Sequence, residues 1–243
     1  LLFDYRASVS DVQLFREEPA LWLLKHHPDY LYRTESGPAA ERGHAVEHGM
    51  RAMLRFGMDA ATVLPLVQRD YLRRVGGQID GKAGDEYANL PGYMEQCAAV
   101  IAKFELGKYS TYQMPIKGEI EGVNFLGYAD FTFGPSGIDL KSTGRLPSEM
   151  RDTHQEQMSF YELMTGIRFA CAYVTPKKYA VYTLTDDQYA AGLQRLRALV
   201  KSIKTACTNL TWEQLFDLYP PRDPTGFRWD ERSRYFANNI WRN

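Results

Sequence analysis

The stretch Gly127-Tyr-Ala-Asp130-Phe-Thr-Phe-Gly134-Pro-Ser-Gly137-Ile-Asp139-Leu-Lys141 decides how the rest of the chain is read. Gly134-Pro-Ser-Gly137 is turn chemistry, and the segments on either side have strand composition. Residues i and i+2 of a strand share a face, so Asp139 and Lys141 point the same way. If the two strands pair around the turn, Asp130 comes near Asp139. Two carboxylates that close repel unless a cation or a shared proton intervenes. Oxygen ligands suit Mg2+ or Mn2+. A lysine beside them can orient or deprotonate a water and stabilise developing phosphoryl charge. Asp-x-Lys alone is common, and by itself more often marks a surface hairpin with a salt bridge.

Working outward, Tyr112–Ile120 is strand-like and Glu121-Gly122 can turn, which makes a three-stranded meander. Its third strand mixes apolar and charged residues, unusual for a buried position. Arg151–Thr165 reads as a helix ended by Gly166, followed by strands over Phe169–Thr175 and Tyr179–Leu184. Thr185-Asp-Asp187 caps a helix to about Ala206, and Thr211-Trp-Glu-Gln214 has capping-box spacing for a last short helix.

The first part of the chain is helical in pattern. Ser10 or Asp11 can cap a helix over VQLFREEPALWLLKHH, and a second helix runs roughly Ala39–Phe56. Gly57 and Pro65 interrupt, after which VLPLVQRDYLRRV resumes as helix. Gly76–Asn89 is rich in glycine and charge and reads as a mobile loop, with Pro91 at the start of another helix. The fold expected is mixed α/β: a central mixed β-sheet flanked by helices, behind an α-helical N-terminal part. We expect one domain over 1–243. Residues 1–110 form the helical front, 111–206 a βββαββα core, and 207–243 a C-terminal helix with an arginine-aromatic tail.

With 44% hydrophobic residues the chain can build a real core. Its formal net charge of −1 gives no global basic signal, so a nucleic-acid partner would need locally focused positive charge. No apolar run is long enough for a membrane span. Cys97, Cys171 and Cys207 are scattered without a CxxC, as expected of reduced, buried thiols in a cytosolic protein. The N-terminus does not read as a signal peptide, and residue 1 is leucine, which leaves open whether the native start lies upstream.

Two further constellations carry chemistry. Arg42-Gly-His-Ala-Val-Glu-His-Gly49 contains His44-x-x-Glu47-His48, the pattern of inverted zinc peptidases, and also Gly43-x-x-x-Glu47 near a helix start. Gln157 and Tyr161 are four apart on one helix face, with His154 a turn earlier, an arrangement suited to a polyanionic backbone. The plainer reading is an amphipathic helix with Tyr161 half buried. In the tail, Arg222, Arg228, Arg232, Arg234 and Arg242 alternate with Phe227, Trp229, Tyr235, Phe236 and Trp241. Arginine with aromatics can bind phosphates and stack on unpaired bases, or the segment can simply pack its rings on the body. Arg69, Arg73 and Arg74 form a second basic cluster that more often marks a solvated helix face.

Taken in order, Gly127-x-x-Asp130, Asp139-x-Lys141 and Gln157-x-x-x-Tyr161 resemble the PD-(D/E)XK nucleases of the RecB-like group, most closely the exonuclease VIII (RecE) and phage exonuclease type. The stretches IDLKST, HQEQMSFYELMTG and SVSDVQLFREEPALWLLKHH carry the likeness over most of the chain. The resemblance implies a restriction-endonuclease-like core and a metal-dependent deoxyribonuclease, an exonuclease of phage or bacterial DNA recombination or repair, leaving a 5′-phosphate. It implies that Asp130, Asp139, the Leu140 carbonyl and Glu47 hold Mg2+ or Mn2+, with His44 a weaker candidate. Lys141 would position water. Gln157, Tyr161, His154, Thr143, Arg232 and Arg234 would face DNA. Glu47 stands where RecB-like members usually have histidine, and Ala129 replaces the proline of the family name. The cysteines that hold an iron–sulfur cluster in some relatives are absent, so none is expected. DNA is the implied partner, with a recombination partner protein and a homo-oligomer as further expectations, no membrane, and a cytoplasmic setting in a bacterium or phage-infected host. The zinc-peptidase pattern leaves Asp130, Asp139, Lys141, Gln157 and Tyr161 without a role. A DNA- or partner-binding module on an inactive scaffold, and an endonuclease, are the remaining alternatives.

Overall fold

Glu121 and Gly122 both adopt positive φ, 51° and 77°. That is the conformation of a two-residue hairpin turn, whose twist matches its strands. The turn joins β1 (Thr111–Ile120) to β2 (Val123–Thr132), paired antiparallel from Ile120–Val123 to Thr111–Thr132. β3 (Ser136–Ser142) runs antiparallel to β2, then parallel to β4 (Arg168–Val174), and β5 (Tyr179–Thr183) returns antiparallel to β4. The computed structural model describes residues 6–30, 36–77, 79–226 and 228–241, and its five strands lie in the order β1-β2-β3-β4-β5. The mixed α/β architecture is as expected, with a central mixed sheet flanked by helices.

Helices cover both faces of the sheet. On one side α1 (Val9–Glu17), α2 (Pro19–His26), α6 (Asp152–Thr165) and α7 (Asp186–Asn209) pack with α8 (Trp212–Leu218) and α9 (Glu231–Trp241) around Ile116, Phe125, Phe160 and Phe169. On the other, α3 (Pro38–Phe56), α4 (Ala60–Arg74) and α5 (Gly81–Lys103) pack around Met50, Tyr93, Phe131 and Leu140. The charged third strand is thereby covered on both faces. No helix of the described residues is long and apolar enough to cross a membrane. The three thiols are buried.

Three local expectations need correction. The expected loop is helical from Gly81 on: α5 starts there and buries Ala83, Leu90, Tyr93 and Met94 along one face, while Gly76 and Gly77 lie in a turn. Tyr71 donates to the Ala83 carbonyl at 3.1 Å, so tertiary contacts override the weak helix propensity of glycine there. Pro91 lies inside α5 and Pro65 inside α4, and neither starts nor interrupts its helix. The first helix is two, broken at Glu18 because the residue before Pro19 avoids helical backbone, and its cap is Ser8, which accepts from Asp11 N. The tail forms α9, with Trp229 buried and the Trp241 indole donating to the Phe216 carbonyl at 2.6 Å. Phe227 and Arg242 lie outside the described residues.

Candidate active site

β2 and β3 pair only at Thr132–Gly137 and Phe131–Ile138, and beyond that point they part. The parting leaves the Leu140 N–H without a backbone acceptor on β2, and the Asp130 side chain accepts from it instead, Oδ2 at 2.8 Å. The N–H and C=O of one strand residue face the same neighbour, so the Leu140 carbonyl faces this opening as well. Asp139 and Lys141 share a face, as their spacing requires, and Lys141 Nζ lies 2.6 Å from Asp139 Oδ2. That contact is an ion pair without hydrogen-bond alignment. The buried Asp139 Oδ2 has no hydrogen bond.

Glu47 arrives from the other side of the sheet, on α3. Gln113 links it to the strands: its Nε2 donates to Glu47 at 2.5 Å and to Asp130 Oδ1 at 3.1 Å. Gln113 stands at φ 51°, a left-handed conformation that costs an L residue about 1–2 kcal/mol. Both strands change face here. Met114 and Ile116 of β1 and Phe125 and Ala129 of β2 pack into one core, whereas Tyr112 and Phe131 belong to the other. With a period of two these residues would share a face. The switch at Gln113 and Asp130 lets their side chains meet groups from both layers.

Electrostatics favour a cation. Burial, then the charges of Asp139 and Glu47, push the Asp130 carboxyl well above its usual range, against the opposing pull of Lys141 and the Leu140 N–H. Burial would lower the Lys141 ammonium, but Asp139 and then Asp130 more than reverse this and hold it above its ordinary value. Asp139 and Asp130 face the Lys141 ammonium, and Glu47 adds its negative charge beside Asp130. Carboxylates and a backbone carbonyl are the donors a hard divalent cation takes. Among the described residues no three His, Cys, Asp or Glu side chains converge as metal ligands do. The Gln113 amide stands between Glu47 and Asp130 instead, and the Lys141 ammonium lies against Asp139.

The helix α6 residues are placed differently from one another. Tyr161 is fully buried, its ring against Gly127, where an added Cβ would lie 2.7 Å from Tyr161 Cε1. Its hydroxyl donates to the Tyr128 carbonyl and accepts from Gln157 Nε2, both at 2.7 Å. Tyr161 thus anchors Gln157 and also borders the groove that Gln157 lines. Gln157 lines a groove with Arg6, Ser8, Ser10 and Tyr128. His154 turns inward instead of lining a groove. Its Nδ1 is 2.5 Å from the Tyr173 hydroxyl, and burial, then Lys141 and Arg151, lower its pKa to about 3.

The remaining candidates fall into place around these. Thr143 lies just beyond β3, its hydroxyl 3.5 Å from Arg151 Nη2 and its carbonyl accepting from Tyr93. Arg42, packed over the Tyr93 ring and paired with Glu86, donates to the Ser142 carbonyl at 3.1 Å, so α3 and α5 brace the end of β3. His48 is 3.0 Å from Asp70 and His44 is exposed, so the zinc-peptidase pattern builds no shared site. Arg232 lies over the Phe236 ring, and Arg234 donates to the Pro224 and Thr225 carbonyls on a helix packed against α2 and α8. Sequence reasoning missed Gln113. A polar residue inside an otherwise strand-like run was its only trace.

No protein-family model matches the chain, and no curated protein matches it. Among solved structures it is similar to one named "Putative exonuclease" from Eubacterium rectale, at 16% identity and a TM-score of 0.53, over 82% of this chain and 80% of that one. This likeness shows the fold. A second, SSO0001, overlaps 86% of this chain and 98% of its own at 14% identity, with a TM-score of 0.34 that carries no argument.

Proposed function

We propose that this chain is a divalent-metal-dependent deoxyribonuclease of the PD-(D/E)XK type, an exonuclease acting in phage or bacterial DNA recombination or repair. The reading is carried by one observation: Asp130, Asp139 and Lys141 meet where β2 and β3 part, with Glu47 linked in through Gln113. The name of the Eubacterium rectale neighbour points the same way. Asp130, Asp139, the Leu140 carbonyl and Glu47 would hold Mg2+ or Mn2+. When bound, such an ion offsets charge on the attacking and leaving oxygens of an in-line displacement and acidifies water. Lys141, held as an ammonium, orients the attacking water and faces developing phosphoryl charge instead of serving as a base. Gln157, fixed by Tyr161, presents its amide to the backbone of the DNA.

A second reading has its own observation. The carboxylates do not converge in this arrangement, as suits a DNA-binding module on an inactive scaffold. The test is incubation with end-labelled linear and covalently closed circular DNA, single- and double-stranded, in Mg2+ or Mn2+, beside Asp139→Ala and Lys141→Ala. The expected result is degradation of linear DNA alone, abolished by both substitutions and by chelator. Cutting of circles would make it an endonuclease. No cleavage together with no metal binding would leave the binding module.

A further inference from the structure

Three groupings of basic residues stand out, and in two of them part of the charge is paired within the fold. On α4, Arg73 and Arg74 pair with Asp70, and Arg74 also with Glu41. In the tail, Arg228 pairs with Glu17 and Arg234 is bound to backbone carbonyls. The third grouping, Arg145, Arg151 and Lys178, is exposed and has no carboxylate partner. These three cations line one open cleft of about 930 Å3 between the β3–α6 connection and the β4–β5 hairpin. Two acids also line it. Asp152 is 3.3 Å from Arg195, which leaves Glu149 as the one unpaired acid against three cations. The chain as a whole carries a formal net charge of −1, so this is a local concentration of positive field.

The cleft adjoins the candidate active site. Arg151 reaches the Thr143 hydroxyl, and Thr143 is two residues beyond Lys141, about 7 Å along a strand. The Arg151 N–H donates to the Tyr173 hydroxyl, and Tyr173 sits opposite Lys141 in the β3–β4 register. The Tyr182 ring forms part of the wall, its hydroxyl tied to the Pro147 carbonyl at 2.9 Å. Cations that track a backbone, beside an aromatic ring, are what an unpaired strand needs, since any base can stack.

We infer that the Arg145–Arg151–Lys178 cleft seats the phosphodiester backbone of a single nucleic-acid strand next to the scissile position. The inference rests on the nuclease reading for the identity of its ligand but not for its measurement. Binding of a fluorescein-labelled oligothymidylate without a terminal phosphate is followed by anisotropy in chelator, where nothing is cleaved. The variant Arg145→Gln/Lys178→Gln removes two exposed cations that make no hydrogen bond, and its thermal melt checks that it folds. Arg197→Gln/Lys103→Gln removes the same charge from exposed positions on α7 and α5. The cleft variant is expected to bind at least roughly tenfold more weakly, with a log K against log salt slope shallower by about 1.4, and the control variant within about twofold of wild type. Equal affinity and slope for the two variants, or no binding by the wild type, would overturn the cleft. If the chain binds through the cleft but hydrolyses nothing, the nuclease reading falls and the cleft stands. If it hydrolyses DNA while the two variants bind alike, the reverse holds.

Discussion

The side-chain amide of Gln113 donates to Glu47 at 2.5 Å across the boundary between the sheet and the helical front. The same nitrogen reaches Asp130, so one neutral donor stands between two carboxylates. Gln113→Ala is expected to destabilise the metal-free protein by about 1–2 kcal/mol, since it leaves facing acceptors unsatisfied. A cation bound to those carboxylates would replace the lost donor. The loss should therefore shrink when Mg2+ is added, by linkage of binding to folding. Thermal unfolding with and without Mg2+ checks this, and a deficit that Mg2+ leaves unchanged would count against a cation at Glu47 and Asp130.

Lys141→Met keeps the stem and removes the charge paired with Asp139. Hydrolysis is expected to fall by about 10²–10³, the scale of losing one electrostatic stabiliser. Mn2+ binding, followed by electron paramagnetic resonance, should persist or tighten, because the competing cation is gone. Loss of both together would make Lys141 structural.

Gly127→Ala places a Cβ 2.7 Å from the Tyr161 ring, and Tyr161→Phe removes the hydroxyl that ties Gln157 to the Tyr128 carbonyl. Overpacking of this kind costs about 1–3 kcal/mol and a lost buried hydrogen bond about 1–2. Urea unfolding should show both variants shifted to lower midpoints. A Tyr161→Phe variant of wild-type stability would mean that the hydroxyl network is not formed.

His154 and Asp11 set the acid side of the stability profile. Burial lowers His154 to about 3, so the folded state holds it neutral while the unfolded chain binds a proton below pH 6.5. Stability is then complete above pH 6.5 and declines as pH falls towards about 3. His154→Gln should flatten that decline in denaturant titrations at stepped pH, and an unchanged slope would show that His154 titrates freely.

Asp11 acts at lower pH. Burial alone would raise its pKa, but the His26 hydrogen bond and the charges of His26 and Lys25 outweigh this and hold it at about 2. Its contribution is present above 3.8 and disappears as pH falls through about 2. Asp11→Asn should lower stability at neutral pH and converge on wild type at the acid end. The measurement is the thermal midpoint across that range.

The meander, its turn and the shared face of Asp139 and Lys141 were legible in the sequence because they depend on neighbours in the chain. A strand has a period of two, and Glu121-Gly122 tolerates positive φ. Helix α5 was not legible from Gly81 to Asn89: local propensity argues against it, and the buried face that fixes it is made with α3 and α4. The tail could be read either way until Trp229 and Trp241 found their places in the core.

By itself the sequence determined which chemistry is on hand: two aspartates and a lysine at spacings that a hairpin brings together, and an amide and phenol one helical turn apart. Only the tertiary structure decided who stands between them. Gln113 and Glu47 are 66 residues apart and Arg145 and Lys178 33, on elements whose meeting follows from how two helical layers close over one sheet. Periodicity acts along a few residues, whereas the charge balance of a site is set by whatever the folded chain places within a few ångströms.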